Sequence, residues 1–261
     1  PVEAGVLQGS PLSPILFNLA IEPMLRAAQK SAGYSLYGNS VSVLAYADDV
    51  ALIASDATDL QNALNEVSAA ADRAGLRFKP AKCASLHFAR GKPKLTTFHV
   101  QGGRMPALEK FDAYTHLGAP TGLHLHNSAE DAIAKMTAQL KQIDQSGLAE
   151  WQKADAVRTF LIPQLVFHLT NATVPKKPLV AFDKELCRCA KRWLHLPQRA
   201  STEPLYIPTS HGGLGLVKLQ HLADACEVAH VNTLLASQDP VVLSIANQSS
   251  REVAEKKVQR A

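Results

Sequence analysis

Two adjacent carboxylates, Asp48 and Asp49, are the residues of this sequence best suited to chemistry. They lie between two apolar, β-prone runs in the segment 41–54, VSVLAYADDVALIA. A protein normally avoids neighbouring negative charges there unless a cation offsets their repulsion. Magnesium suits such oxygen ligands and is commonly held by one or two carboxylates together with substrate phosphates. The pair therefore predicts a divalent-metal site for two-metal phosphoryl transfer, with ordinary turn chemistry as the alternative.

The elements around the two aspartates form a mixed pattern. The segment 41–54 predicts a β-hairpin with the acidic residues at its tip. Upstream, a polar loop rich in Gly, Ser and Pro turns into an apolar helix that is predicted to begin at a Ser13 cap. Downstream, a capping box at Thr58 predicts a helix that Gly75 ends. Short strands are predicted over 85–88 and 97–100, so the first 120 residues indicate an α+β layer structure.

From residue 128 onward the strand pattern disappears. Amphipathic helices are predicted over 133–143, 151–169, 179–194 and 218–237, and a charged helix after 249. A loop of Gly, Pro, His and Asn at 120–127 marks the change. The sequence therefore predicts an α+β domain over 1–122 and an all-helical domain over 123–261.

Basic residues are unevenly distributed, although 27 lysines and arginines exceed 23 acidic residues by only four. No acidic residue lies between Gly75 and Leu108, and a second basic cluster opens the third helix of the helical part. Such segments attract polyanions, with a solvated surface as the alternative. The side chains predicted to contact nucleic acid are Arg77, Lys79, Arg90, Lys92, Lys94, Lys184, Arg188, Lys191 and Arg192.

Composition excludes several classes of protein. With 261 residues and 46% apolar content, the chain can build a core, so disorder is excluded as its main state. No apolar run reaches the roughly 18 residues of a membrane span, so no membrane partner is expected. Four cysteines without a secretory leader favour reduced thiols and an intracellular location, nuclear or cytoplasmic. The sequence indicates no protein partner.

Three smaller candidates have ordinary structural explanations. His124 and His126 have the spacing of a ligand pair, but solvated loop histidines are the better interpretation because no third ligand is evident. Trp151 and Trp193 could stack on bases, yet their apolar neighbours favour core packing. The glycines within 211–216 predict a tight turn, since their spacing matches no phosphate-binding loop.

Several segments resemble the conserved boxes of reverse transcriptases. YADD (46–49) resembles the catalytic box, and GVLQGSPLSPILFNL (5–19) resembles the neighbouring box of the non-LTR retrotransposon and group II intron branches. GLRFKPAKCASL (75–86) and YTHLG (114–118) resemble the next two boxes, in the family's order and spacing. RWLHLP (192–197) and HGGLGL (211–216) resemble the thumb region of site-specific non-LTR retrotransposon polymerases.

This resemblance implies an RNA-directed DNA polymerase. Residues 1–122 would form the polymerase palm, an antiparallel sheet with packed helices that is incomplete at its N-terminal side, and 123–261 a helical thumb-like domain. The implied reaction is attack of a primer 3′-hydroxyl on a deoxynucleoside triphosphate during target-primed retrotransposition. Its implied partners are an RNA template, a DNA primer, deoxynucleoside triphosphates and Mg²⁺ (or Mn²⁺).

The resemblance also implies a role for each matched residue. Asp48 would be the principal metal ligand and Asp49 a second carboxylate at the metals, while Tyr46 and Ala47 would border the primer terminus and nucleotide pocket. Lys82 would lie near the triphosphate and donate a proton to pyrophosphate. Gln8, Gly9 and Ser10 would line the template and incoming nucleotide, and His116, Leu117 and Gly118 would belong to the primer grip.

Two departures from the family pattern leave alternatives open. The family's metal site also takes an aspartate from an earlier box that would precede Pro1, so we expect these 261 residues alone not to polymerise DNA. Lys79 and His116 stand where relatives often carry asparagine and tyrosine. The alternatives are a non-catalytic nucleic-acid-binding remnant of a retroelement and a group II intron maturase.

Overall fold

The computed structural model describes residues 5–123, 128–172 and 174–258. Contacts divide the chain into two compact units, Pro1–Leu125 with Gln238–Ala261, and His126–Ser237. The predicted boundary after residue 122 lies near this division, but the C-terminal segment groups with the first unit. The functional division at 122 stays a prediction, and the His124 and His126 candidates lie outside the described residues.

Two helices, α1 (Ser13–Gln29) and α2 (Ala57–Arg73), form the core of the first unit. The caps differ from those predicted. Asp56, not Thr58, caps α2, because its carboxylate accepts hydrogen bonds from the Thr58 and Asp59 backbone N–H groups at 2.8 and 2.9 Å. Buried small and apolar side chains join the helices: Met24 and Ala28 of α1 pack in one cluster with Val67, Ala70 and Ala71 of α2. Both predicted helices are confirmed.

The strands of the first unit form five antiparallel hairpins. They pair in chain order as β1 (Tyr34–Leu36) with β2 (Asn39–Val41), β3 (Val43–Tyr46) with β4 (Asp49–Leu52), β5 (Phe88–Ala89) with β6 (Lys92–Pro93), β7 (Phe98–Val100) with β8 (Gly103–Met105), and β9 (Tyr114–His116) with β10 (Ala119–Thr121). The mixed α+β prediction is confirmed. In the described residues, however, the strands form separate two-stranded sheets rather than one continuous sheet.

Two further contacts complete the first unit. Phe98, Val100 and Met105 of the β7–β8 hairpin are buried in a cluster with Leu64 of α2. Helix α9 (Pro240–Val258) touches β2, where the Asn39 side-chain amide donates a hydrogen bond to the Ser244 hydroxyl at 3.1 Å. The charged helix predicted after residue 249 therefore begins earlier, at Pro240.

The second unit is helical, as predicted. Its helices are α3 (Glu130–Gln145), α4 (Glu150–Ala156), α5 (Pro163–Asn171), α6 (Lys176–Trp193), the short α7 (Glu203–Tyr206) and α8 (Leu219–Leu235). The helix predicted over 151–169 is interrupted by a π-helical turn, Val157–Leu161, where the Ile162 N–H donates to the Val157 carbonyl at 2.9 Å. Large apolar side chains from α3, α5 and α6 fill the core, among them Met136, Leu140, Leu165, Leu179, Phe182 and Leu186.

The Asp144 carboxylate of α3 forms hydrogen bonds with two side chains of α6. Asp144 accepts hydrogen bonds from the Arg192 guanidinium at 2.5 Å and from the Trp193 indole N–H at 2.8 Å. Its backbone carbonyl also accepts from the Lys153 ammonium at 3.0 Å. Trp193 is buried, as predicted, whereas the core packing predicted for Trp151 is wrong, because 69% of that residue is exposed.

Backbone geometry explains the glycines that follow α7. Gly212 and Gly215 have φ angles of 81° and 62°, and a Cβ atom on Gly213 would lie 2.1 Å from the Ile207 carbonyl oxygen. The predicted tight turn is therefore confirmed. All four cysteines lie in the described part of the chain and are free thiols. None of the described helices combines the length and the apolar character needed to span a membrane.

Asp144→Ala tests the α3–α6 tie. We expect the free energy of unfolding to fall by about 2–3 kcal/mol, because the buried indole N–H loses its acceptor and Arg192 loses its ion pair. Urea denaturation followed by circular dichroism measures this loss. Glu185→Ala is the control, since its ion pair with Arg188 lies within one helix and contributes roughly 0.5 kcal/mol or less. Equal losses in the two variants would contradict the assignment.

Candidate active site

The two adjacent aspartates lie at the tip of the β3–β4 hairpin. Tyr46 pairs with Asp49 at the end of the ladder, and Ala47 and Asp48 form the two-residue turn between them. Asp48 is exposed, and Asp49, the first residue of β4, is half-buried. The predicted hairpin is confirmed, and consecutive carboxylates lie together at its tip.

The turn of this hairpin differs from the other four. Each hairpin places its first turn residue at positive φ, and in the others the second turn residue is glycine: Gly38, Gly91, Gly102 or Gly118. Only here does an aspartate occupy that second place. Ala47 has a φ angle of 51°, a left-handed conformation that costs about 1 kcal/mol or more for a residue with a Cβ atom. The first turn residues of the other four hairpins share this conformation, so the aspartate in second place is what distinguishes this turn.

The base of this hairpin, opposite the turn, packs against the core of the first unit. Val43 and Leu52, a cross-strand pair, pack against the cluster that joins α1 and α2. The Ile53 N–H extends the ladder by donating to the Ser42 carbonyl at 2.8 Å. Because the base is packed and the tip is exposed, the hairpin holds its carboxylates at a fixed position on the surface.

The predicted template-binding loop folds against the start of α1. The Ser10 N–H donates to the Leu7 carbonyl at 3.2 Å, and the Ser13 N–H donates to the Ser10 carbonyl at 3.1 Å. Ser13 is not the predicted cap; it is the first helical residue, and its hydroxyl donates back to the Leu7 carbonyl. Gln8 and Gly9 form the exposed turn of this loop, with Gly9 at a φ angle of 91°. The loop therefore presents a short polar edge.

Both carboxylates are free to bind a cation. Within the described residues, neither the Asp48 nor the Asp49 carboxylate has a hydrogen bond or an ion pair with a protein group. No set of three or more His, Cys, Asp or Glu side chains is gathered there in metal-binding geometry. Since Mg²⁺ commonly takes one or two carboxylates plus phosphates and water, the pair fits such an ion but supplies only part of its coordination.

The other predicted reaction residues occupy defined local positions. Lys82 is exposed at the end of a 3₁₀ turn, Pro80–Lys82, which directly follows the exposed Lys79. Leu117 and Gly118 form the turn of the β9–β10 hairpin, with φ angles of 49° and 78°, and His116 pairs with Ala119 beside them. No described hydrogen bond or ion pair links these residues to Asp48 or Asp49. Their participation in one site stays a prediction.

The predicted basic residues of the first unit fall into two groups. Arg77 forms an ion pair with Asp72 at 2.7 Å, so its charge is partly compensated. Arg90 lies in the β5–β6 turn, with Lys92 and Lys94 after it. These three side chains are exposed and form no ion pair with any described residue. The hairpin therefore places three uncompensated cations close together in sequence, while Lys79, Lys82 and Arg104 of the same segment are exposed as well.

In the second unit, one of the residues predicted to contact nucleic acid is buried. Lys191 is only 6% exposed, and its ammonium donates to the carbonyls of Gln198 and Ala200 at 2.9 and 2.7 Å. It therefore holds the loop after α6 and cannot contact nucleic acid, so this assignment is corrected. Arg188 and Arg192 are exposed but paired with acidic residues, and Lys184 is exposed on the same helix.

Sequence reasoning missed a structural carboxylate, Asp183. It accepts hydrogen bonds from the backbone N–H groups of Leu219 and Gln220 and so caps the N-terminus of α8. Asp183 precedes Leu219 by 36 residues in the sequence. Burial raises the pKa of this carboxyl, and the two backbone hydrogen bonds oppose that shift. No local pattern indicates this cap, because donor and acceptor are far apart in sequence.

Two buried groups of the second unit are unsuited to chemistry at neutral pH. Burial, and secondarily the Asp144 charge, raises the pKa of Cys189 to about 11, so its thiol stays protonated. Burial and a 2.9 Å hydrogen bond with Cys187 raise the pKa of Tyr206. These side chains serve the core, which leaves the β3–β4 tip as the candidate site.

Comparison with known proteins identifies the family of this chain. A family profile described as reverse transcriptase (RNA-dependent DNA polymerase) matches residues 1–145, more than half of the chain. The chain belongs to the reverse transcriptase family. The match includes the polar loop, the β3–β4 hairpin and the β9–β10 hairpin, which carry the predicted reaction residues.

Several curated relatives are retrotransposon proteins. The chain is 31% identical over 240 residues to the retrovirus-related Pol polyprotein from type-2 retrotransposable element R2DM of Drosophila melanogaster, covering 88% of this chain and 22% of that protein. It is 27% identical over 254 residues to a Pol polyprotein from type-1 retrotransposable element R2 of Popillia japonica, covering 94% of this chain and 35% of that protein. The chain therefore spans about a fifth to a third of these relatives, and the predicted resemblance to non-LTR retrotransposon polymerases is confirmed.

Lys191→Met tests the corrected role of the buried lysine. We expect the free energy of unfolding to fall by about 1–3 kcal/mol, because two loop carbonyls lose their donor. We expect RNA affinity and its salt dependence to stay unchanged for the folded variant. Lys184→Met on the exposed side of α6 is the matched control and should change stability by roughly 0.5 kcal/mol or less. A stable Lys191→Met protein with weaker RNA binding would contradict the buried role.

Proposed function

We propose that the chain is the palm and thumb portion of an RNA-directed DNA polymerase of a non-LTR retrotransposon. The palm would be residues 1–122 and the thumb 123–261. One observation carries the proposal: two unpaired carboxylates, Asp48 and Asp49, lie at the exposed tip of a hairpin whose base is anchored in the core. Family membership and the R2 relatives support this chemistry, and they favour a retrotransposon enzyme over an intron maturase.

The carboxylates would act as metal ligands. Asp48, exposed at the turn, is the proposed principal ligand for Mg²⁺ (or Mn²⁺), and Asp49 is the second. When bound, such ions stabilise the charge on the attacking and leaving oxygens of phosphoryl transfer. The protein's contribution is to hold both carboxylates in place before substrate arrives, which the packed β3–β4 base provides.

The neighbouring elements would bind the substrates. Tyr46, which is 70% exposed beside the turn, would border the primer terminus together with Ala47. The exposed loop of Gln8, Gly9 and Ser10 would line the template and the incoming nucleotide. Lys82 would donate a proton to the leaving pyrophosphate, and the β9–β10 turn with His116, Leu117 and Gly118 would hold the primer.

The proposed partners follow from this reaction. They are an RNA template, a DNA primer supplied by a nicked target, and deoxynucleoside triphosphates. The basic residues predicted to contact nucleic acid, other than Lys191, would bind phosphates. Affinity for nucleic acid would therefore fall as the salt concentration rises. We propose a nuclear or cytoplasmic location, where such a template and such a target are found.

A binding role without catalysis is the second candidate function. It is favoured by the absence of a third metal-ligating side chain beside Asp48 and Asp49 in the described residues. A binding module would nevertheless gain nothing from two anionic side chains facing phosphates. The polymerase proposal accounts for the carboxylates and is therefore preferred.

Primer extension separates these two functions. In the complete gene product that carries this chain, we expect Asp48→Asn to lower extension on a primed RNA template roughly a hundredfold or more, because a bound metal contributes several kcal/mol of transition-state stabilisation. Binding of the primed template should be largely retained, and chelation of Mg²⁺ should abolish extension by the unmodified protein.

Asp131→Asn is the matched control for this experiment. It removes the same charge from an exposed position in the first turn of α3 and should leave extension unchanged. Equal extension by the unmodified protein and Asp48→Asn would refute the metal assignment. A product that binds the template but extends no primer in any form would favour the binding role.

A further inference from the structure

The β5–β6 hairpin is anchored at its base and free at its tip. Beneath it, the Ser85 N–H donates to the Pro106 carbonyl at 2.9 Å, and a 2.6 Å hydrogen bond joins the His87 ring to the Thr96 hydroxyl. Its strands are only two residues long, and its extensive contacts in the described chain are those between its own strands. The hairpin is therefore a small arm on the surface of the first unit.

The arm exposes an aromatic residue on the surface of the first unit. Phe88 pairs with Pro93 across the hairpin and is 56% exposed, and Leu95, just beyond β6, is 62% exposed. A phenylalanine normally buries most of its surface when it packs in its own chain. The exposed ring is thus available to a ligand.

Three basic side chains accompany this ring. Arg90 forms the tip, while Lys92 pairs with Ala89 and so lies on the opposite face of the ribbon from Phe88. The Lys94 N–H donates to the His87 carbonyl, which continues the ladder. The 75–108 segment holds no acidic residue that could compensate these charges. The arm therefore combines one ring face with a concentrated positive charge.

We propose that this arm binds single-stranded nucleic acid, with Phe88 stacked on an unpaired base and Arg90, Lys92 and Lys94 contacting phosphates. An aromatic ring and basic side chains on one exposed element suit single-strand binding, since every base offers a ring face and the strand can pass from the ring to the cations across the narrow arm. A duplex fits less well, because its base faces are covered by neighbouring pairs. A protein partner also fits less well, because lysines are depleted at the centres of protein interfaces.

The proposal rests on the proposed function and adds to it, since it names single-stranded nucleic acid as the ligand of this arm of the polymerase. It does not depend on catalysis. The arm would bind an unpaired part of the template or of a displaced strand, and RNA and DNA share the chemistry that Phe88 and the three cations recognise. Binding can therefore be measured without primer extension.

Fluorescence anisotropy of the full 261-residue chain tests the role of the ring. The probes are a labelled single-stranded RNA of about a dozen nucleotides, the same sequence as DNA, and a DNA duplex. We expect Phe88→Ala to weaken single-strand binding about tenfold, the effect of losing one base stack, and to leave duplex binding unchanged. Binding of both single strands would identify the shared chemistry, and RNA alone would assign the arm to the template.

Phe111→Ala is the matched control, because Phe111 is 79% exposed in the same unit and belongs to a different segment. It should keep the affinity of the unmodified protein, and circular dichroism should show both variants folded. Equal affinities for Phe88→Ala and the unmodified protein would overturn the proposal. So would an equal loss of duplex binding, which would assign the arm to double-stranded nucleic acid.

Salt dependence tests the three cations separately. Each of Arg90→Gln, Lys92→Gln and Lys94→Gln should lower the slope of log affinity against log salt by roughly 0.7, the value for one phosphate contact on a single strand. Phe88→Ala should leave that slope unchanged. Unchanged slopes in all three charge variants would refute the phosphate contacts.

Failure of this proposal and failure of the proposed function are distinguishable. Asp48→Asn should bind the single-stranded probes normally while losing extension. If Phe88→Ala binds normally and Asp48→Asn loses extension, the arm proposal alone is wrong. If Phe88→Ala loses single-strand binding and Asp48→Asn still extends primers, the metal assignment alone is wrong.

Discussion

The repulsion between two neighbouring carboxylates is the constraint on which the proposed site depends. Asp48 and Asp49 lie at the end of a two-stranded ribbon, and no described protein group offsets their charge. The ribbon that carries them is held in place, because the cross-strand pair at its base packs against the core between α1 and α2. The fold therefore stabilises an arrangement that is unfavourable by itself. The proposed divalent cation, with phosphate ligands, would relieve this repulsion, and the packed base would then keep the two carboxylates in position for it.

The residues in the five hairpin turns also set the β3–β4 hairpin apart. Two-residue hairpin turns need positive φ at one or both turn residues, and glycine adopts that conformation at little cost. Four hairpins place glycine second in the turn, but the β3–β4 hairpin places Asp48 there, after a strained Ala47. A glycine at this position, as in the other four turns, would remove one of the two carboxylates. The exception thus coincides with the residue on which the chemistry would depend.

Much of the fold could be predicted from the sequence, and the failures have physical causes. Apolar periodicity identified α1, α2 and the long helices α3, α6 and α8 of the second unit, because each has enough turns to show a buried face, whereas the four-residue α7 was missed. The β1–β2 and β9–β10 hairpins were missed, since strands of three residues are too short to show alternation. Their signal was the dipeptide of a large residue followed by glycine, Tyr37-Gly38 and Leu117-Gly118. The Asp183 cap of α8 joins distant positions and has no local signal.

The two carboxylates of the candidate site could be predicted from the sequence. The basic residues that are available to bind nucleic acid could be predicted only in part. Sequence shows how many cations a segment carries but not which of them the fold already uses. Lys191 looks like any exposed helical lysine until the loop after α6 places two carbonyls against its ammonium. Arg77 and Arg192 are similarly held by Asp72 and Asp144. The lysines and arginine of the β5–β6 arm have no such partner in the described chain. Charge that the fold leaves uncompensated, rather than charge density along the sequence, is therefore the better guide to where a polyanion binds.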